Sequence, residues 1–151
     1  MPHITAIIGK PCSGKTTYAN TLPGVLLSCD NFMLPLFGQQ CELIRKNRKL
    51  VESYLLELAR QMLAKGIDVV FDWGFWTAAD RARLNATGLP VQWVYVCVPE
   101  QQRVAQMTQR NNMVQQQGLR EYFVHDELFA RSNAMFEEPE EIDGLIRVLG
   151  M

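Results

Sequence analysis

Gly9-Lys10-Pro11-Cys12-Ser13-Gly14-Lys15-Thr16 matches the phosphate-loop pattern G-x-x-x-x-G-K-[ST] at every fixed position. The apolar run at residues 3–8 predicts a buried strand before the loop, and residues 16–22 predict a helix after it. Such a strand, loop and helix present backbone N–H groups to an anion. We expect Lys15 to bind the β- and γ-phosphates and the Thr16 hydroxyl to bind Mg²⁺. The stretch therefore predicts a nucleoside triphosphate site.

Length and composition narrow the class of protein. The 151 residues are enough for one sizeable core, so we predict a single domain over residues 1–151. With 15 basic and 16 acidic side chains the formal net charge is −1, which gives no electrostatic reason to expect nucleic acid as a partner, although a locally basic groove stays open. The four cysteines form no C-x-x-C pair, and we expect reduced thiols and no zinc site. No signal peptide opens the chain and no apolar run reaches the roughly 18 residues of a membrane span, which predicts a soluble, cytoplasmic protein.

Two acidic residues follow predicted strands at the edge of the sheet where ligands bind in open α/β folds. Residues 24–29 predict a second strand that ends at Asp30. Asp30 is either a general base for an attacking hydroxyl or an ordinary turn or helix-cap residue, and both interpretations stay open. Residues 67–71 predict a third strand that ends at Asp72, the Walker-B arrangement. Asp72 is therefore the predicted partner of Thr16 in binding Mg²⁺.

Three further stretches have a structural and a functional interpretation each. Residues 32–41 are apolar but contain Pro35 and Gly38, which argues against one regular element and predicts either a substrate-binding wall or a packed loop. A long helical pattern opens with a basic run that predicts a solvated face, with contact to an anionic substrate as the alternative. An aromatic cluster after the third strand either lines an acceptor pocket or packs in the core. The basic run is Arg45, Lys46, Arg48 and Lys49, and the aromatic cluster is Trp73-Gly74-Phe75-Trp76.

The second half of the chain predicts a lid. A fourth strand at residues 91–98 leads to a helix that we expect to end near Arg110, and residues 111–120 are polar and without a clear period. We predict a lid at about residues 110–122, in which Arg110 and Arg120 stabilise charge on the transferred phosphoryl group, with a plain surface loop as the alternative. Which arginines reach the phosphates stays open among Arg103, Arg110, Arg120 and Arg131. Residues 144–149 predict a fifth strand.

Five short apolar strands that alternate with helices predict a three-layer α/β/α domain with a parallel sheet. In this order of motifs the chain resembles the small P-loop kinases of the AAA-type ATP-binding and zeta-toxin-like group, which are related to polynucleotide 5′-hydroxyl kinases and chloramphenicol phosphotransferase. The resemblance covers nearly the whole chain. Its most specific part is residues 9–17; weaker parts are Asp30, residues 69–76, Asp80-Arg81, Arg103, Arg110-Asn111 and residues 136–139.

The resemblance implies a five-stranded P-loop NTPase sheet of order 2-3-1-4-5, with ATP and Mg²⁺ on the loop after the first strand. It implies that Asp30 is the general base and that Arg110 is a lid arginine near the phosphates. The chain departs from the group where apolar Phe32-Met33-Leu34 replaces the usual arginine after Asp30. This departure favours an acceptor less charged than a nucleotide. The nucleotide would contact Gly9, Lys10, Pro11, Cys12, Ser13, Gly14, Lys15, Thr16, Thr17 and Arg110.

The leading functional hypothesis is an ATP-dependent kinase that phosphorylates a hydroxyl of an unidentified small molecule. Lys15, Asp30, Arg110 and Arg120 are its expected catalytic residues, and Thr16 with Asp72 is its metal site. One alternative is a kinase for nucleotides or for the 5′-hydroxyl ends of nucleic acid, against which the near-neutral charge counts. Another alternative, of a different class, is a nucleotide-dependent switch that transfers nothing.

Overall fold

The computed structural model describes residues 1–118 and 123–150. Five strands form one parallel sheet in the order β2-β3-β1-β4-β5, as expected. The strands are β1 (Ile4–Ile8), β2 (Val25–Leu26), β3 (Val69–Gly74), β4 (Val91–Cys97) and β5 (Ile146–Leu149). The helices are α1 (Lys15–Ala19), α2 (Cys29–Phe37), α3 (Cys41–Ala64), α4 (Ala78–Asn85), α5 (Glu100–Gln117) and α6 (Asp126–Met135).

The central strand β1 explains the layers. Ile4 pairs with Val69 of β3 and with Val91 of β4, so β1 is covered on both edges. Side chains alternate between the two faces of a strand, and each face of this sheet carries its own apolar cluster. Ile7 packs on one side with Ala19 of α1, while Ile4 packs on the other with helices α2, α3 and α4. The predicted three-layer α/β/α fold is confirmed.

The segment around Asp30 differs from the sequence prediction. Strand β2 has two residues and ends at Leu26, and Asp30 lies in the first turn of α2. Ser28 begins this helix as its N-cap, since its hydroxyl accepts a hydrogen bond of 3.4 Å from the Asn31 N–H. Serine at the cap and an acidic residue in the first turn stabilise the start of a helix. The prediction of a strand ending at Asp30 is therefore wrong.

Residues 32–41 are also more regular than predicted. Helix α2 continues to Phe37 and contains Pro35. Gly38 ends it with a φ of 58°, and its N–H donates a hydrogen bond of 2.8 Å to the Leu34 carbonyl. Cys29 and Met33 lie four residues apart and are both buried, so one face of the helix packs in the core. This packing outweighs the unfavourable proline. The prediction against one regular element is wrong for residues 32–37.

Helix α5 corrects the predicted lid. It runs to Gln117, where Gly118 caps it with a φ of 66°, so residues 111–117 are helical rather than irregular. Glutamine and methionine have good intrinsic helix propensity, which does not depend on an apolar period. Asn111 also fixes this part of the helix, since its side-chain amide exchanges hydrogen bonds of 2.8 and 2.7 Å with the backbone of Val124. The rest of the predicted lid, residues 119–122 with Arg120, lies outside the described residues.

None of the described helices is long and apolar enough to cross a membrane.

Candidate active site

The phosphate loop joins β1 to α1 and has a tight, specific backbone. Gly9 donates its N–H to the Gly74 carbonyl at 3.0 Å, which places the start of the loop against the end of β3. A Cβ on Gly9 would lie 2.7 Å from the Ser13 hydroxyl and 3.0 Å from the Val96 carbonyl oxygen, so only glycine fits there. Cys12 and Gly14 take positive φ angles of 63° and 90°. The loop therefore curls back on itself just before Lys15.

Lys15 lies half-buried at the end of this loop. Its Nζ donates a hydrogen bond of 2.8 Å to the Lys10 carbonyl. Burial lowers the pKa of Lys15 to about 8, although the nearby charges of Asp72 and Asp30 act to raise it. Arg110 of α5 is close enough for its positive charge to lower this pKa further. An ammonium whose charged form is disfavoured is the group that a phosphate would stabilise.

Thr16 and Asp72 form a pair of oxygen donors beside Lys15. The Thr16 hydroxyl donates to the Asp72 carboxylate at 3.2 Å, so the structure brings together the two predicted metal-binding residues. Asp72 lies inside β3, two residues before its end, and not after the strand as predicted. Burial and the charge of Asp30 raise the pKa of Asp72, while Lys15 and hydrogen bonds from Ser28 and Thr16 lower it. A hydroxyl and a half-buried carboxylate are ligands that suit Mg²⁺.

Asp30 faces the same site from α2. Its side chain is 59% exposed, so a soluble molecule can reach it. Arg48 of α3 contacts it, with 3.5 Å between Nη1 and the carboxylate oxygen, and also lies 3.5 Å from Glu52. A third bond of 3.1 Å runs from Arg48 Nη2 to the Trp73 carbonyl. Arg48 therefore links α2, α3 and β3.

The sequence predicts the basic run to be a solvated face or a contact to an anionic substrate, and neither interpretation pairs Arg48 with Asp30. A signal was present: Arg48 precedes Leu55 by seven residues and Ala59 by eleven, which places all three on one face of a helix. Leu55 and Ala59 are both fully buried. Arg48 is therefore on the face of α3 that packs against the sheet, where it contacts Trp73 of β3.

Two rings of the aromatic cluster, those of Trp73 and Phe75, pack in the core. The rings of Phe71, Trp73 and Phe75 stack in series, with centroids 4.0 and 5.6 Å apart, and Trp93 meets Phe75 edge-on. The Trp73 indole donates to the Leu27 carbonyl at 2.8 Å. These contacts support the packing interpretation for Trp73 and Phe75.

The four candidate lid arginines have separate positions. Arg103 is buried, and its Nε donates a hydrogen bond of 2.8 Å to the Pro11 carbonyl, so its guanidinium is bound to the phosphate loop. Arg110 lies on α5 within electrostatic range of Lys15, and Arg131 lies exposed on α6. Arg120 falls among the residues that the structure does not describe.

A cavity of about 390 Å³ opens beside the loop, between it and the ends of β4 and β5. Ser13 lines it, and the Ser13 hydroxyl is the one buried side-chain polar atom without a hydrogen-bond partner among residues 1–118 and 123–150. Lys10 and Arg147 also line the cavity. This side of the loop therefore has open space and polar groups that a ligand could contact.

The family follows from a comparison with known proteins. A family profile described as an AAA domain matches residues 4–139, which include the loop, Asp72 and all but the last strand. The chain belongs to this family. No curated protein matches the sequence of this AAA-domain protein.

Solved structures of two kinases and of Kti12 share its fold. A sugar kinase from Janibacter has a TM-score of 0.69 at 17% identity, over 99% of this chain and 86% of that chain. A gluconokinase from Sinorhizobium meliloti has a TM-score of 0.58 at 18% identity, over 98% of this chain and 82% of that chain. Kti12 from Chaetomium thermophilum, solved with ADP-AlF3, has a TM-score of 0.71 at 15% identity, over 97% of this chain and 88% of that chain. At these identities the likeness shows the fold of the AAA-domain protein.

Proposed function

We propose that this protein is a kinase that transfers the γ-phosphoryl group of ATP to a hydroxyl of a small molecule. The observation that carries the proposal is the convergence of charged groups on Lys15. The carboxylates of Asp30 and Asp72 and the guanidinium of Arg110 all lie close enough to change the pKa of the Lys15 ammonium through their charges. Three separate elements bring these groups to one phosphate loop. One of the carboxylates, Asp30, is exposed to an incoming acceptor.

The residues present fit ATP and Mg²⁺. The loop would hold the phosphates through its backbone, with Lys15 released from the Lys10 carbonyl to bind them. Thr16 and Asp72 would hold Mg²⁺, which when bound neutralises charge that develops on the phosphate oxygens. Burial disfavours the charged forms of both Lys15 and Asp72. Phosphate would stabilise the Lys15 ammonium, and Mg²⁺ would stabilise the Asp72 carboxylate.

Asp30 would act as the general base in phosphoryl transfer. The acceptor oxygen forms a bond to the γ-phosphorus while the bond from that phosphorus to the bridging oxygen breaks, and ADP leaves. Asp30 accepts the proton of the acceptor hydroxyl. Arg110 and Arg120 would stabilise the charge on the transferred group. Arg48 would hold the Asp30 carboxylate toward the acceptor through the contact at 3.5 Å.

The charge around Asp30 favours an uncharged acceptor. Arg48 forms an ion pair with Asp30 and is shared with a second carboxylate, that of Glu52. An acceptor with a phosphate or carboxylate of its own would be repelled by the carboxylates of Asp30 and Glu52, which share the single guanidinium of Arg48. The names of two structural neighbours, a sugar kinase and a gluconokinase, support polyhydroxy compounds as the first acceptors to try. As part of this proposal we expect the enzyme in the cytoplasm, where ATP is available.

The test is ADP release from ATP and Mg²⁺ in the presence of sugars, polyols and their acid and phosphate derivatives. We expect an acceptor-dependent rate with an uncharged polyhydroxy compound, and phosphate found on that compound by ³¹P NMR. Asp30→Asn should lower this rate by about a hundredfold or more, within the usual contribution of a general base, and leave ATP binding intact. If Asp30→Asn transfers phosphate at the wild-type rate, the assigned base is wrong. If ATP binds and changes the oligomeric state but phosphorylates none of these compounds, the switch hypothesis replaces the kinase.

A further inference from the structure

Side chains from three parts of the chain hold three successive carbonyl groups of the phosphate loop. Trp76 Nε1 donates to the Gly9 carbonyl at 3.2 Å. Lys15 Nζ donates to the Lys10 carbonyl at 2.8 Å, and Arg103 Nε donates to the Pro11 carbonyl at 2.8 Å. The first half of the loop is thus held by one donor from the turn after β3, one from α1 and one from α5.

Because the peptide bond is planar, a donor that holds a carbonyl group also orients the N–H of the next residue. In a trans peptide the C=O and the following N–H point in opposite directions, and the described chain has no cis peptide bond. A donor that holds the Gly9 carbonyl therefore orients the Lys10 N–H, and a donor that holds the Pro11 carbonyl orients the Cys12 N–H. The Lys10 carbonyl is followed by Pro11, which has no N–H to orient. Lys15 can leave this carbonyl without turning an amide away from a ligand.

Several contacts hold the Arg103 side chain in one position. It is buried, and besides the Pro11 carbonyl it donates to Glu100 at 2.8 Å and to Asn133 at 2.6 Å. A further bond of 3.0 Å reaches the Ser132 hydroxyl, and the guanidinium lies 3.7 Å from the centre of the Phe129 ring. Contacts to both α5 and α6 fix this guanidinium against the loop.

Trp76 is directed at the loop by an unusual turn after Asp72. Gly74 and Phe75 have consecutive positive φ angles of 89° and 46°. A Cβ on Gly74 would lie 2.9 Å from Trp76 Nε1 and 3.0 Å from the Gly9 oxygen, so the indole reaches the loop only across a glycine. The Phe75 carbonyl accepts a bond of 2.8 Å from buried Arg81, which holds the turn in place. A positive φ at phenylalanine is strained, and such strain persists where the surroundings enforce it.

We propose that Trp76 and Arg103 are positioning residues that hold the phosphate loop in its binding conformation before the nucleotide arrives. This inference rests on the proposed function, because it concerns the phosphate site of that kinase. Neither side chain needs to touch the nucleotide. Holding a loop in its bound shape removes the ordering of that loop from the cost of binding. The aromatic cluster thus supplies one residue, Trp76, whose role is the geometry of the loop.

The test compares two tryptophans that each lose one indole N–H and keep an aromatic ring. Trp76→Phe removes the donor to Gly9, and Trp93→Phe removes a donor of 3.1 Å to Asn85, away from the loop. We expect Trp76→Phe to weaken binding of ATP with Mg²⁺ and of pyrophosphate about three- to tenfold in calorimetry, the range for one hydrogen bond. Trp93→Phe should bind both as the wild type does, although both variants melt at a lower temperature.

A second pair of measurements guards against misfolding. Arg103→Lys keeps a buried cation but cannot reproduce the planar fork of donors, and we expect it to weaken ATP and pyrophosphate binding in the same way. If folded Trp76→Phe and Arg103→Lys both bind pyrophosphate with wild-type affinity, the two residues only stabilise the fold and the inference is wrong. That result would leave the kinase proposal intact. A wild-type protein that binds neither ATP nor pyrophosphate would overturn both.

Discussion

The Thr16 hydroxyl donates a hydrogen bond of 3.2 Å to the Asp72 carboxylate, across 56 residues of sequence. The first residue lies in α1 and the second in β3, the strand next to β1 in the sheet. Burial and the nearby charge of Asp30 both raise the pKa of Asp72. A divalent cation between these oxygens would reverse that effect, and this pair therefore defines the proposed metal site.

Asp72→Asn should remove most of the Mg²⁺ dependence of nucleotide binding. The amide keeps the shape of the side chain and the Thr16 contact but no longer has the charge that attracts the cation. We expect the gain in ATP affinity on adding Mg²⁺ to fall by at least about tenfold, the lower end for a change in a metal environment. Asp68→Asn is the matched control, since Asp68 lies just before β3 and accepts from the His3 N–H at 3.0 Å. An unchanged gain from Mg²⁺ in Asp72→Asn, measured by calorimetry with and without EDTA, would exclude this metal site.

Nucleotide binding should weaken as the pH rises above about 8, because burial lowers the pKa of Lys15 to about 8. The phosphates of a bound nucleotide favour the charged ammonium, so binding raises this pKa and takes up a proton wherever free Lys15 has lost one. Below that pH the proton is already present and the affinity does not depend on it. Above it the affinity should fall by up to about tenfold per pH unit.

Calorimetry with ADP between pH 7 and pH 9.5 measures this effect. Lys15→Arg is the control, because a guanidinium stays protonated throughout. A flat wild-type profile up to the highest pH would show that Lys15 does not exchange its proton on binding.

Arg48→Gln should slow phosphoryl transfer without affecting ATP binding. The change removes a charge-assisted contact to Asp30 and the bond to the Trp73 carbonyl. A contact of 3.5 Å to a carboxylate this exposed contributes about 1 kcal/mol or less, which corresponds to a rate lower by up to about fivefold. Arg45→Gln, in an exposed position of the same helix, should change neither quantity. If Arg48→Gln lowers the ATP-induced shift in melting temperature as much as it lowers the rate, Arg48 acts on the nucleotide side of the site.

Two arginines of α4 should differ sharply in their effect on stability. Arg81 is fully buried, bonds to Glu141 at 2.6 Å and holds the Phe75 carbonyl. Arg83 is 61% exposed, and its contact to Asp80 is a surface ion pair. We expect Arg81→Met to lower the free energy of unfolding by about 2–4 kcal/mol, since it leaves a carboxylate and a carbonyl without their partner. Arg83→Met should cost less than about 1 kcal/mol. Urea denaturation measures both, and equal losses would contradict the account of the turn at Phe75.

The sheet and the loop were predictable because their signals are local. A run of apolar residues before Gly9 predicts β1, and the spacing of glycine, lysine and threonine after it predicts the loop. The proximity of Thr16 and Asp72 also follows from sequence, since parallel strands bring their carboxyl ends to the same edge of the sheet.

Other features depend on contacts between distant residues. Helix α2 contradicts the local preference of Pro35 because burial of Met33 outweighs it. The direction of Trp76 depends on a positive φ at Phe75, a residue type that does not signal the left-handed conformation. Arg103 resembled a lid arginine by its place in the chain, and its partners on α6 are about thirty residues away. Such roles emerge only from the assembled structure.

The most direct test of the account is the melting temperature of the wild type and of Lys15→Ala with ATP and Mg²⁺. A ligand that binds only the native state stabilises it by about 2.7 kcal/mol at a hundredfold excess over its Kd. The account predicts a clear rise in melting temperature for the wild type and none for Lys15→Ala. An equal rise in both proteins, or no rise in either, would contradict a nucleotide site at this loop.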